Sequence, residues 1–434
     1  MITSTPRILI LCYYDPAGIA TVIETIENMA QGLTGEVRVI NLFLDYYPCT
    51  QPALRPSVDL DGFDAIIIHN TLSYNVDVLR GIDRVTHRTL RDFHGVKILM
   101  KQDENHRFRE LAQAIGDIGF DVIFTCLPPT AVPRIYPPEI VGTPRFERML
   151  TGYVTATLRQ LPITPAPRPI LIGYRGSLQP LSFGRLAYEK RKIGNDVVRL
   201  LQDSGLKLDV SSRWEDRLGN AAWYTFLSAC TATLGVESGA SIFDLQGNLA
   251  MRCTALEGKL GPVREDDAYA EAYLAGLADL ENNIPYHQIS PRHFEAAATG
   301  TIQLLYPGDY SGIFIAGRHY FELARDYSNL ADAIAFLQDD AARDTMAQTA
   351  RREIIDNPAY HIETFVARLN SIVQECLDTK PVARRHVIPI HTILRMQVAA
   401  LRHIHPKRLV KWLLPSWVQT RLRCLPHFRQ GLCR

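Results

Sequence analysis

The sequence predicts an α/β protein of two doubly wound domains facing a cleft, followed by a basic C-terminal extension. Three observations lead to this class. Short apolar runs of strand length alternate with helical patterns through residues 1–155, a proline-rich stretch interrupts them, and the same rhythm restarts at Ile170. Such alternation implies parallel sheets whose ligands sit at the carboxyl ends of the strands. With 434 residues the chain can hold two cores, since single cores stop growing near ~250–300 residues.

In the first domain (1–161), strands are expected at Ile8–Cys12, Val37–Asn41, Ala65–His69, Val96–Lys101 and Val122–Thr125. Helices are expected between them at Thr21–Gln31, Asp77–Phe93 and Arg107–Gly116. The first strand–helix turn, Asp15 to Gly18, has one glycine and lacks the spacing of a dinucleotide fingerprint. Two strand ends carry polar chemistry: His69-Asn70, and the run Lys101 to His106. Both ends belong near the cleft, so Asp103, His106, Glu104 and His69 are candidates for substrate binding or base work.

Pro162, Pro165, Pro167 and Pro169 make residues 162–169 a stiff, extended linker. The second domain (170–356) then offers strands at Ile170–Tyr174, Lys207–Val210, Ala232–Val236 and Ile302–Leu305, with helices at Asn220–Ala229 and Pro291–Thr299. Residues Arg264–Glu281 form a polar, helix-prone stretch without a legible role. Helices Asn329–Gln338, Ala341–Ile355 and His361–Cys376 close the fold.

Four turns of this domain carry the binding chemistry. Arg175 and Gly176 follow the first strand, and Lys190 lies shortly beyond. Cations beside a bare backbone N–H suit a diphosphate, where negative charge develops on departure. Glu237, Ser238 and Ser241 follow a buried strand, and small hydroxyl residues there let a ligand approach closely. Ser290 is an N-cap with Pro291 at the first helical position, and Arg292 and Glu295 fall in the opening turn beside backbone N–H groups. Tyr310, Ser311 and Gly312 form the turn after the last buried strand. No Asp-x-Asp motif follows a strand, so neither a metal nor a cofactor is expected.

These segments also resemble a family. The run Ser290-Pro-Arg-His-Phe-Glu-Ala with Gly300-Thr301, the Tyr174-Arg175-Gly176 turn with Gly184-Arg185-Leu186 and Glu189-Lys190, and Leu234 to Asp244 are similar to GT-B glycosyltransferases. Tyr310 to Gly312, Arg318 to Tyr320, residues 134–139 and residues 150–154 are similar as well, and the nearest branch is the bacterial polysaccharide type related to CgeB proteins. The resemblance runs from about Ile8 to Cys376 and is strongest in 173–190, 234–244, 289–301 and 306–328. It implies a GT-B fold and transfer of a sugar from a nucleoside-diphosphate sugar to a glycan or lipid-linked glycan. It puts Asp103 first among the acceptor-side candidates, with His106 beside it, because Gln102-Asp103-Glu104 after a strand is similar too. It also puts Glu295 on the donor ribose, Ser311 near the donor's phosphate or sugar, and a last helix (357–378) across to the first domain. Retaining members carry an earlier glutamate where this chain has His287, which leaves the stereochemical outcome open. A GT-B-like sugar-nucleotide epimerase and a non-catalytic two-lobed scaffold are the alternatives.

Charge is distributed unevenly. From Thr379 to Arg434 there are twelve Lys/Arg and no Asp or Glu, so the first 378 positions hold 35 basic against 46 acidic residues. Ile390, Ile393, Leu394, Leu401 and Ile404 recur at helical spacing, and Trp412 and Trp417 are of the type that settles at headgroups. At ~1 kcal/mol per basic residue, this 379–434 extension suits an anionic membrane surface. No stacking module or DNA-binding motif accompanies it, so nucleic acid is not an expected partner. Eight scattered cysteines without Cys-x-x-Cys pairs, and no signal peptide, give a cytoplasmic expectation, at the inner face of the membrane.

Overall fold

The structure is a computed structural model and describes residues 5–14, 20–42, 60–73, 79, 84–105, 107–164, 167–264 and 266–380. The Asp15–Gly18 turn, His106 and the extension from residue 381 onward lie outside the described residues.

The first lobe contributes β1 (Arg7–Cys12), β2 (Glu36–Asn41), β3 (Ala65–Ile68), β4 (Val96–Lys101), β5 (Val122–Thr125) and β6 (Arg145–Arg148). All pair in parallel, in the order β2-β1-β3-β4-β5-β6. β3 and β5 are buried at every position, as strands covered on both faces must be, and this is why they read as unbroken apolar runs. Helices α1 (Ala20–Gly32), α2 (Arg84–Asp92) and α3 (Phe108–Ile118) lie between the strands. β6 is absent from the sequence expectation because Arg-Phe-Glu-Arg has no apolar run. It is a charged edge strand, a common device against edge pairing, and its Arg145 binds Glu375 at 2.6 Å.

The second lobe contributes β7 (Ile170–Arg175), β8 (Leu208–Ser211), β9 (Cys230–Gly235), β10 (Ser238–Ala240), β11 (Tyr286–Gln288), β12 (Ile302–Leu305) and β13 (Phe321–Glu322). Five of these form a parallel sheet in the order β13-β12-β9-β7-β8, while β10 and β11 pair antiparallel. Its helices are α4 (Arg185–Leu201), α5 (Asn220–Ala229), α6 (Leu249–Leu260), α7 (Asp267–Ala275), α8 (Pro291–Ala298), α9 (Leu330–Gln338) and α10 (Asp340–Ala350). In each main sheet the second strand lies outside the first and the third lies on the first strand's other side. The winding therefore reverses between β1 and β3, and between β7 and β9, and the carboxyl ends of those pairs form crevices.

Two chain crossings join the lobes. Val154 N–H donates to Tyr360 O at 2.9 Å, and Ile362 N–H donates to Val154 O at 3.0 Å, so the outgoing and returning segments run side by side. The linker is tied down where Arg168 donates to Cys230 O, Thr301 Oγ1 and Thr299 O, each at 2.8 Å. Helix α11 (Ile362–Thr379) then buries Ile362, Phe365, Val366, Leu369, Ile372 and Val373 in the first lobe's core. Their helical spacing gives one apolar stripe, and Phe365 stacks on Tyr153 at 4.6 Å between centroids.

The stretch 241–289 also reaches across: Phe243, Ile284 and Tyr286 belong to the first lobe's core although they follow β10 in the second. Among the described residues no helix is long and apolar enough to cross a membrane.

Candidate functional site

At the β7/β9 reversal a cavity of about 210 Å³ opens between the strand ends, α4 and the start of α8. Tyr174 lines it from β7 and Ser177 from the turn after it, Thr233 to Val236 from the end of β9 and just beyond, Gln303 from β12, and Lys190 from α4. Arg217 and Trp223 close one side, and Ser290, Arg292 and His293 another. Three cations and no carboxylate appear among the described lining residues. The backbone can turn tightly here because Gly176 has no side chain: a Cβ would lie 2.5 Å from Ser212 Oγ and 2.9 Å from Lys190 O.

The electrostatics follow from burial. Lys190 Nζ donates to Ser238 Oγ at 3.3 Å, and burial pushes its ammonium down to about 8. Asp103, from the other lobe, raises it, and Arg292 lowers it, so all three act on one another around the cleft. Arg292 lies 5.0 Å above the Trp223 ring and donates to Arg175 O. Trp223 donates its indole N–H to Glu295 Oε2 at 2.7 Å, and burial raises the Glu295 carboxyl above its usual range. His293 is neutral: burial holds it down at about 3, and its Nδ1 accepts from Ser290 N–H at 3.0 Å, completing a capping box with the Ser290 side chain. A neutral, fixed imidazole and two convergent cations can hold a polyanion with no carboxylate among the described lining residues to compete for them.

The sequence-derived donor residues divide into two groups. Lys190, Ser238, Ser290 and Arg292 line the cavity, and Gly176 adjoins its wall. Glu295 stands one layer behind, 7% exposed, with Trp223 between it and the opening. The others require correction. Arg175 does not present its guanidinium to the cavity: it pairs with Asp209 at 2.8 Å, donates to Asp216 O and covers the Phe226 ring at 4.2 Å. Glu237 is buried and structural, accepting from Asp309 N–H, Tyr310 N–H and His287 Nδ1. Ser241 is buried, its Oγ accepting from Leu186 N–H. In the Tyr310–Gly312 turn, Tyr310 is buried with its OH donating to Tyr306 O, Ser311 Oγ accepts from Ile289 N–H, and the exposed Gly312 is not among the cavity's lining residues. Nor does the start of α8 offer free N–H groups, because Ser290 takes those of Arg292 and His293. In each case a polar side chain has been recruited to hold a turn, a use that sequence does not distinguish from ligand contact.

Sequence reasoning passed over Trp223, Arg217, Tyr174 and Gln303. Trp223 carried a signal, an aromatic in the first turn of a helix that follows a strand end, but its role depends on Glu295 lying 72 positions away.

In the first lobe, Asp103 follows β4 with φ 54°, a left-handed conformation uncommon for a residue with a side chain. Its N–H donates to Tyr286 OH at 2.9 Å, and that hydroxyl donates to Glu104 Oε2 at 2.5 Å. Glu104 is fully buried, accepts from Thr125 Oγ1 at 2.5 Å and sits near the buried Lys101. It serves the interface rather than an acceptor. His69 is likewise buried, bonded to Thr71, with burial pushing it down to about 3. Among the described residues no group of three or more His, Cys, Asp or Glu is placed to hold a metal ion.

The model of a family described as glycosyl transferase-like matches residues 191–365, which contain most of this cavity. No curated protein matches the chain. Distant likenesses to solved structures include HepE from Anabaena in complex with UDP, 10% identical over 85% of this chain and 100% of that one, with a TM-score of 0.48. Sucrose-phosphate synthase from Thermosynechococcus elongatus is 14% identical over 86% and 100%, at 0.46. SnogD from Streptomyces nogalater is 10% identical over 85% and 100%, at 0.40. Residues 191–365 are thus glycosyl transferase-like, set in a chain of two doubly wound lobes.

Proposed function

We propose that the protein is a metal-independent glycosyltransferase that moves a hexose from a nucleoside-diphosphate sugar to a hydroxyl of a glycan or lipid-linked glycan. The observation that carries this reading is the cavity at the β7/β9 reversal, with Lys190, Arg292 and Arg217 on its wall and no described carboxylate among them. A diphosphate fits that lining: two negative groups meet two convergent cations in a half-buried site, where charge stabilisation is strong. Trp223 lies on its wall, and Glu295 stands behind it and fixes the indole through the bond to Nε1, which gives the ribose and base a rigid aromatic face.

Asp103 approaches from the opposite lobe. As the acceptor oxygen bonds to the anomeric carbon, its proton passes to the Asp103 carboxylate. The bond from that carbon to the diphosphate oxygen breaks, and the leaving group takes the electron pair onto Lys190 and Arg292. Closure of the lobes keeps water from the donor. The extension 379–434 places the enzyme on an anionic membrane surface, at the cytoplasmic face, where lipid-linked acceptors reside.

The test is turnover in metal-chelated buffer. Nucleoside diphosphate released in step with a glycosylated acceptor, unchanged by added chelator, is expected. Loss of all turnover on chelation would overturn metal independence. A changed free sugar nucleotide without acceptor would favour an epimerase instead.

A further inference from the structure

Strand β11 has two working faces. Alternate residues of a strand point to opposite sides, and here the sides belong to different lobes. Tyr286 and Gln288 turn toward the first lobe: Tyr286 OH holds Glu104 at 2.5 Å and Asp103 N–H at 2.9 Å, and Gln288 Nε2 donates to Cys126 O at 2.9 Å. His287 turns the other way, binding Glu237 Oε2 at 2.8 Å. The strand itself is pinned against β10 at Gly239, whose φ is 101° and where a Cβ would sit 2.0 Å from Tyr286 O.

We infer that Tyr286 is a positioning residue for transfer, supplied by the donor lobe to fix the base of the acceptor lobe. The inference rests on the reading of Asp103 as that base. A non-glycine residue at φ 54° is held there by its surroundings, and the Tyr286 hydroxyl accepts from its N–H. The same hydroxyl satisfies Glu104, which is 0% exposed and anchored to Thr125 and Cys126 N–H. One oxygen thus joins a strained backbone to a buried carboxylate, and does so only while the lobes are together. Tyr286 is itself immobile: it is 0% exposed, and its ring meets Phe243 edge-on at 5.5 Å. Asp103 then acquires its geometry from the lobe that carries the donor, so base and donor site are assembled in one step.

The experiment compares Tyr286→Phe, Gln288→Met and Asp103→Asn in the full chain. Tyr286→Phe keeps the ring and removes one oxygen. It is expected to lower kcat for nucleoside diphosphate release about tenfold or more, with donor KM and the thermal shift given by the nucleoside diphosphate unchanged. Gln288→Met removes the neighbouring bond between lobes without touching Asp103, and is expected to leave kcat within about twofold. A kcat unchanged in Tyr286→Phe while Asp103→Asn abolishes transfer would overturn the positioning role and leave the base standing. Equal losses in Tyr286→Phe and Gln288→Met would also overturn it, as the effect would then be lobe association. Full activity in Asp103→Asn would remove the base reading itself.

Discussion

Trp223 and Glu295 are joined by a 2.7 Å hydrogen bond from indole Nε1 to carboxylate Oε2, in a layer where both are at least nine-tenths buried. The bond is charge-assisted and fixes the face of the indole toward Arg292. Trp223→Phe removes the donor and leaves a buried oxygen without its partner, at a cost of about 1–3 kcal/mol. Glu295→Gln keeps an acceptor oxygen and is expected to cost less. Urea unfolding of the two variants orders them, and equal stability would show the bond to be incidental.

Lys190 gives the proposed nucleotide site a pH dependence of known sign. Burial holds its ammonium at about 8 in the free protein, and a bound diphosphate stabilises the charged form, raising it further. With respect to this group, affinity is flat below pH 8 and falls as pH rises above it, approaching about tenfold per unit. Calorimetric titration with a nucleoside diphosphate between pH 6.5 and 9.5 reads the slope. In Lys190→Met the slope should vanish together with much of the affinity.

His287 and Glu237 form a second pH-sensitive pair. The hydrogen bond to Glu237 raises the imidazole above its ordinary value of 6.5, against burial, and Nε2 meets Asn282 Oδ1 at 3.0 Å. Because the folded value lies above the unfolded one, the pair's stabilisation is full below about pH 6.5 and is lost as pH rises through the raised value. His287→Gln is therefore expected to lose about 1–2 kcal/mol near pH 6 and clearly less near pH 9. Thermal melts across that range check it, and a pH-independent difference would contradict the charged pair.

Leu369 tests whether α11 is integral to the first lobe. It is 0% exposed within that lobe's core although it lies more than 200 positions beyond β6. Leu369→Ala should cost about 2–5 kcal/mol, the range for a truncated core leucine, and lower the melting temperature of the first lobe. A loss below 1 kcal/mol would mark α11 as a loosely docked appendage.

Much of the fold was legible because the two sheets are parallel and covered on both faces. β4, β5 and β12 fall at Val96–Lys101, Val122–Thr125 and Ile302–Leu305, where short, mostly apolar runs announced them. Edge and antiparallel strands were not: β6 carries charges, and β10 and β11 are three residues each, so neither has a period to read. The expected helix Ala341–Ile355 gives way to a wider turn after Ala350, where Arg351 donates to Leu161 O and Ala298 O. The site was legible by location more than by residue. Strand ends and glycine turns pointed to the β7/β9 crevice, and of the residues expected there Lys190, Ser238, Ser290 and Arg292 line its cavity. Whether Arg175 or Glu237 faces a ligand or a neighbouring backbone depends on partners 34 to 73 positions away, and local pattern carries no trace of them.

The central claim, a nucleotide site in the second lobe, is tested most directly by thermal shift with UDP, GDP, dTDP, CDP and CMP, metal-free, on wild type and Glu295→Ala. A ligand that binds only the folded form raises stability by RT ln(1 + [L]/Kd). One nucleotide is expected to shift wild type clearly and Glu295→Ala severalfold more weakly at the same concentration. No shift of either protein by any of the five at millimolar concentration would contradict the account.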